Sequence, residues 1–386
     1  MTKNEVLAEF VIQIAQNHLE YLTEDSPPTE LNTEMLGRED NNLTWTEKNV
    51  KSCLYLPLTI LHVHQSLIHN LAEVYVKTVN EAKRGILRLL EGPISKMGMD
   101  SPQLLSLVES CPKGSETLIT RIIHILTEKA PPSEALVCRV RDLYNQRVSD
   151  VRFLIPVLTG LSKMEVIAVL PKLIRLNPQV VKEVFNRLWG VTLDTGSSPI
   201  TPVELLIALH TIESDKADVK TVIKATGICF LERSIYNAEV LAMVLKQLME
   251  LPNLPTLFMR TVLQTHAHFP RLLSFIINIL QSLITKEVWK HRKVWEGFIK
   301  CCEKTFPNSF TVLLQLPVQQ LKEVIRDAPK LHQNVKSHID QLTEEQKIHI
   351  PSDLLNVILG SEEESHIHHE AKEDKYEIIQ EEEVVL

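Results

Sequence analysis

Glycine is scarce in this 386-residue chain, with only 11, and aromatic residues make up 5%. Neither Asn-Gly nor Asp-Gly occurs, and strand-type alternation between turn signals is missing. These absences exclude a hairpin-rich β architecture, whose two-residue turns need residues that accept positive φ. The six cysteines, Cys53, Cys111, Cys138, Cys229, Cys301 and Cys302, contain no C-x-x-C pair. They read as reduced thiols of an intracellular protein, with no zinc site. The adjacent Cys301 and Cys302 invite a redox reading, but neighbours on a helix point apart.

No window holds eighteen uncharged apolar residues, so no segment is expected to span a membrane. The start, MTKNEVLAEFVIQIAQNHLEYL, lacks the basic opening, continuous apolar core and cleavage site of a signal peptide. A soluble intracellular protein is the expectation. Nucleophile-elbow, P-loop, dinucleotide, HExxH and kinase motifs are all missing. The lone His210 and His266 lie on or beside apolar helix faces, and nothing in the sequence places the carboxylates Glu232 and Glu239 in a cleft. The chain therefore reads as non-enzymatic, with no catalytic, cofactor-binding or metal-binding residue assigned.

What is present is helical: 44% of residues are hydrophobic and 23% charged, a composition suited to helices with one buried face. The stretch over residues 150–190, DVRFLIPVLTGLSKMEVIAVLPKLIRLNPQVVKEVFNRLWG, is the most readable. Asn177 is a good N-cap, and Pro178 suits the first helical position, where a missing N–H costs nothing. Val180, Val181, Val184, Phe185 and Leu188 recur at helical spacing, while Lys182, Glu183, Asn186 and Arg187 take the opposite face. Ser162 and Glu165 have capping-box spacing. Pro156 and Pro171 sit inside apolar runs, where they are expected to end or kink a helix.

Elsewhere, Val6, Leu7, Phe10, Val11, Ile14 and Leu22 trace a stripe expected to pack on the next helices of the chain. Residues 58–90 read as one long amphipathic candidate. Its His62, His64 and His69 lack the i, i+4 separation that would put two imidazoles on one ligand face. Ser101-Pro102, Gly114, Pro131-Pro132-Ser133 and Thr201-Pro202 with Glu204 mark further helix starts. Helices are then expected over residues 218–231, 237–251, 255–266, 270–284, 292–304, 307–316, 318–327 and 353–359, with shorter pieces between. Such helices bury one stripe each, and pairs about 40 residues apart are the mark of HEAT or armadillo-like stacking. The expected fold is therefore all-α: an irregular HEAT/armadillo-like repeat array, an α-α superhelix, with a disordered acidic C-terminal tail.

That tail, residues 361–386, carries ten acidic residues and two lysines, a net charge of −8 equal to that of the whole chain. Removing it leaves 39 acidic and 39 basic residues, a neutral body that argues against a broad nucleic-acid surface. The tail also holds His366, His368, His369 and Glu370, a tract able to hold a metal only adventitiously, because a flexible tail has no surrounding groups to fix geometry. Lys290, His291, Arg292 and Lys293, between Trp289 and Trp295, form the only compact basic and aromatic cluster. It reads either as a partner contact, for RNA, an acidic protein segment or an import receptor, or as a solvated helix junction whose tryptophans face the core.

Four segments carry a family resemblance: DVRFLIPVLTGLSKMEVIAVLPKLIRLNPQVVKEVFNRL, SSPITPVELLIALHTI, KATGICFLERSIYNAEVLAMVLKQLMELPNLPTLFMRTVLQTHAHFPRL and VWKHRKVWEGFIKCC. With them the chain resembles the carboxy-terminal domain of the symplekins, scaffolds of pre-mRNA 3′-end processing, as far as about Val324. Symplekins are longer chains, and their large amino-terminal repeat domain has no counterpart here. The organisation read from the sequence starts with an N-terminal helix (1–22), a flexible acidic linker (23–49) and a helical region (50–149). It continues with a symplekin C-terminal-like repeat domain (150–330), terminal helices (331–360) and the disordered acidic tail (361–386).

The resemblance implies docking of the endonuclease subunit of the cleavage and polyadenylation specificity factor and of its inactive paralogue. It implies cleavage stimulation factor as a further partner, with RNA reached only indirectly. It also implies a nuclear protein, with the cytoplasm and the tight-junction plaque as further locations. The competing expectation is a charge-driven RNA-binding or transport-type helical repeat, which a steep salt dependence of binding would reveal.

Overall fold

The computed structural model describes residues 3–28, 44–190 and 198–360. Among them all regular structure is helical, in line with the expected all-α fold. The chain divides into two compact units, Met1–Ile228 and Cys229–Leu386. The first contains α1 (Lys3–Tyr21), α2 (Glu47–Ile60), α3 (Leu67–Lys77), α4 (Asn80–Leu89), α5 (Glu91–Met97) and α6 (Pro102–Ser110). It continues with α7 (Glu116–Thr127), α8 (Glu134–Gln146), α9 (Lys163–Leu173), α10 (Pro178–Leu188) and α11 (Pro202–His210). The division falls within α12 (Val219–Leu231). In the second unit are α13 (Ala238–Glu250), α14 (Phe258–His268), α15 (Leu273–Thr285), α16 (Arg292–Thr305) and α17 (Phe310–Leu313). It closes with α18 (Val318–Asp327), α19 (Pro329–Gln341), α20 (Glu344–Ile348) and α21 (Ser352–Leu359).

Local chemistry sets the helix starts. Ser162 and Thr201 head full capping boxes with Glu165 and Glu204, and Asn177 accepts from the Gln179 N–H at 3.0 Å. Packing is repeat-like, with helices resting on the helix two places along: α2 on α4, α5 on α7, α6 on α8 and α9 on α11 in the first unit, and α14 on α16 in the second. Basic side chains tie successive repeats together. Arg147 donates to the Glu109 carbonyl (3.2 Å) and the Ser110 carbonyl at the C-terminal end of α6, 38 and 37 residues away. Lys286 reaches the Met249 carbonyl near the end of α13, 37 residues away. A cation at a helix C-terminus satisfies orphan carbonyls and complements the helix dipole. The recurring separation is the repeat length written in hydrogen bonds.

The centre of the first unit is the stretch Val151–Gly160, a 3-10 helix packed against α7, α8, α9 and α10. Val151, Phe153, Leu154, Ile155, Pro156, Val157 and Leu158 are all buried in it. Asp150 opens it by accepting from the Arg152 N–H at 2.9 Å. Gly160 closes it because any Cβ there would overlap Val137 of α8.

Several expectations need correction. Pro156 does not break its element, because the apolar run continues through it as 3-10 helix; Pro171 lies in the last turn of α9, which ends two residues later at Leu173. The stripe on α1 is not buried throughout: Ala15, Leu19 and Leu22 are, whereas Val6, Leu7 and Phe10 are exposed. Residues 58–90 are not one helix. The chain leaves the helical region at Thr78, whose hydroxyl donates to the Leu22 carbonyl of the α1 end, a tertiary bond no local pattern announces. The helix expected over 307–316 shrinks to α17, and α19, read only as shorter pieces, is a 13-residue helix. Most of the proposed linker, residues 191–197 and the whole tail with His366, His368, His369 and Glu370 lie outside the described residues.

Candidate interaction surface

The basic cluster sits in the second unit, where Glu287 adopts a left-handed conformation (φ 54°) and turns the chain after α15. Val288–Lys290 forms a single 3-10 turn anchored by the buried Val288, and His291 leads into α16. His291 stands at the N-cap without a side-chain cap, and Arg292 and Lys293 occupy the first turn. Helix N-termini favour anions, so this start opposes the helix dipole at a cost of about 0.3–1 kcal/mol per cation. What holds it is the other face of α16, with Val294, Trp295, Phe298, Ile299, Cys301 and Cys302 buried.

Of the flanking tryptophans, Trp295 belongs to that core and Trp289 is half-buried against it. Trp295 stacks on Phe298 with ring centres 5.2 Å apart at 17°, and Trp289 meets it edge-on at 6.4 Å and 82°. Neither is arranged as an open stacking platform for bases. Two of the cluster's charges are answered locally. Lys290 pairs with Glu287, and Arg292 with Glu296 at 3.2 Å. His291 and Lys293 are exposed and have no ion pair among the described residues.

The remaining candidate groups are dispersed. His62 contacts the Thr59 carbonyl (3.0 Å) and His69 the Gln103 side chain (3.0 Å). Among the described residues no group of three His, Cys, Asp or Glu could hold a metal ion. His210 is buried with Nδ1 2.7 Å from the Leu206 carbonyl, and burial pushes its pKa down. His266 is half-buried on α14. Glu232 and Glu239 flank the turn into α13, where Glu239 is exposed. Burial pushes the thiols of Cys53, Cys229 and Cys301 up to about 12 and raises that of Cys302 well above its ordinary value, which makes them poor nucleophiles. The inter-repeat contacts of Arg147 and Lys286 escaped sequence reasoning. Their signal is a cation set one repeat from a helix C-terminus.

Residues 150–328 match the family model of the symplekin tight junction protein C terminal. This segment is a symplekin carboxy-terminal domain. It runs from the cap of the buried 3-10 stretch at Asp150 to Ala328 after α18, so it contains the Ser162 and Thr201 capping boxes and the basic turn. Symplekin-type domains are scaffold modules rather than enzymes. No solved structure matches the chain.

Proposed function

We propose that the chain is a non-enzymatic scaffold of the pre-mRNA cleavage and polyadenylation machinery, acting at poly(A) and histone pre-mRNA 3′ ends. Its symplekin carboxy-terminal domain docks the endonuclease subunit and its inactive paralogue, and joins them to cleavage stimulation factor. The place of action is the nucleus, with the cytoplasm and tight-junction plaque as secondary locations. The observation that carries this reading is the family match over residues 150–328. The neutral body supports it, because an electrically balanced surface binds through buried apolar and aromatic anchors rather than through net charge.

In this reading the basic turn at Lys290, His291, Arg292 and Lys293 forms part of the polar rim of the contact. The test is co-purification of the full chain with the carboxy-terminal regions of the two nuclease-family subunits. Recovery of neither subunit would sink the reading, and a complex lost on adding salt would favour the charge-driven RNA-binding or transport-type alternative.

A further inference from the structure

Outside the symplekin segment, α3, α4 and the start of α7 line a cleft of about 450 Å³. Asn80, Lys83, Arg84 and Leu87 of α4 line it, at the i, i+3, i+4, i+7 spacing of a single helix face. Tyr75 of α3, Gly114 just before α7 and Thr117 of α7 complete the lining. The other face of α4, with Ala82, Gly85 and Ile86, is buried, so packing against α2 fixes the direction of the stripe.

The lining holds two cations and no carboxylate. Lys83 is anchored, with its ammonium 5.6 Å from the centre of the Tyr75 ring and 3.4 Å from the Val76 carbonyl to which it donates. Arg84 is exposed and has no ion pair among the described residues. Glu81 and Glu116 stand in the same first helical turns, but neither lines the cleft. Both turns also start without a side-chain cap. Val79 has none to offer, and the Ser115 hydroxyl donates to the Pro112 carbonyl at 2.6 Å instead. Each turn places a residue in the lining, Asn80 from α4 and Thr117 from α7.

We propose that this cleft binds a phosphorylated side chain of a protein partner. A phosphomonoester carries about −1.5 to −2 charges at neutral pH, which matches the two cations of the lining. The Arg84 fork can take two phosphoryl oxygens side by side, and the anchored Lys83 a third. Leu87 and the edge of Tyr75 supply apolar surface for the stem of the modified residue. A carboxylate brings one charge and two oxygens, and leaves one cation unanswered. RNA fits less well, because backbone binding needs a track of cations and one face of Tyr75 already carries the Lys83 ammonium. This site is independent of the scaffold reading, and its outcome does not turn on nuclease co-purification.

The test exposes the full chain to a degenerate phosphoserine and phosphothreonine peptide library, to its unphosphorylated twin, to a twin with glutamate at the modified position, and to a 15-nucleotide oligouridine. Retention of the phosphorylated pool at least tenfold above both twins and above the RNA is expected. Arg84→Glu should abolish it and Lys83→Met should weaken it several-fold, whereas Lys246→Glu, on the exposed side of α13, should leave it unchanged. Melting temperatures establish that each variant folds. Should Arg84→Glu fail that check, Arg84→Gln takes its place and should cost at least fivefold. Equal retention of the peptide pools, preference for the RNA, or variants that bind like the parent chain would overturn the proposal.

Discussion

Helices α11 and α16 both lie in the symplekin domain, and they start by opposite rules. At α11, Thr201 accepts from the Glu204 N–H (3.2 Å), and the Glu204 carboxylate accepts from the Thr201 N–H (2.9 Å). Lys163 pairs with the same carboxylate, and with these donors around it the carboxyl pKa is drawn down to about 2. At α16 there is no side-chain cap, and two cations face the positive end of the helix dipole. One helix is secured by its own first turn. The other is held by the packing behind it, and its first turn is free to answer to something other than stability.

The comparison can be broken most forcefully from the core. Phe298 is 0% exposed and stacks on Trp295, so Phe298→Ala should cost about 3–5 kcal/mol in denaturant unfolding. A loss below about 1 kcal/mol would show that the buried face does not hold α16. At α11 the corresponding leverage is local. Thr201→Ala should cost about 1 kcal/mol by the same measurement, and no change would show that the cap does not secure the helix.

The pH dependence separates the two starts further. The folded pKa of Glu204, about 2, lies below the ordinary glutamate value of 4.5, so its contribution is complete above 4.5 and is lost as pH falls toward 2. The melting-temperature deficit of Glu204→Gln should therefore be full at pH 7 and shrink between pH 4.5 and 2; a deficit constant over that range would contradict the assignment.

The smallest effect is the most diagnostic. Lys293→Glu places an anion where α16 carries a cation, and should raise stability by about 0.3–1 kcal/mol. The same change should weaken the nuclease complex if this turn is part of its rim. Stability and binding moving together would place the turn outside the interface.

Much of the fold was legible because it was local. The caps at Ser162, Asn177 and Thr201 could be read from side chains lying two or three residues from the N–H groups they satisfy. What failed was tertiary. The apolar stripe of α1 gave no sign that only its second half would find α2 and α3 to pack against. The break at Thr78 depends on a carbonyl 56 residues away. Helix α19 was expected only as part of short terminal helices and not delimited, because its buried positions, Leu331, Val335 and Ile339, supply a single apolar residue per turn. The basic cluster was visible as composition, but not the placement of its cations at an uncapped helix start. The cleft lined by Lys83 and Arg84 was not visible at all, because its walls come from three separate helices.

The scaffold reading is tested most directly by co-purifying the full chain with the carboxy-terminal regions of the endonuclease subunit and its inactive paralogue, in moderate and in high salt. A complex that survives high salt is the expected result, since apolar burial is not screened. Recovery of neither subunit at either salt concentration would contradict it.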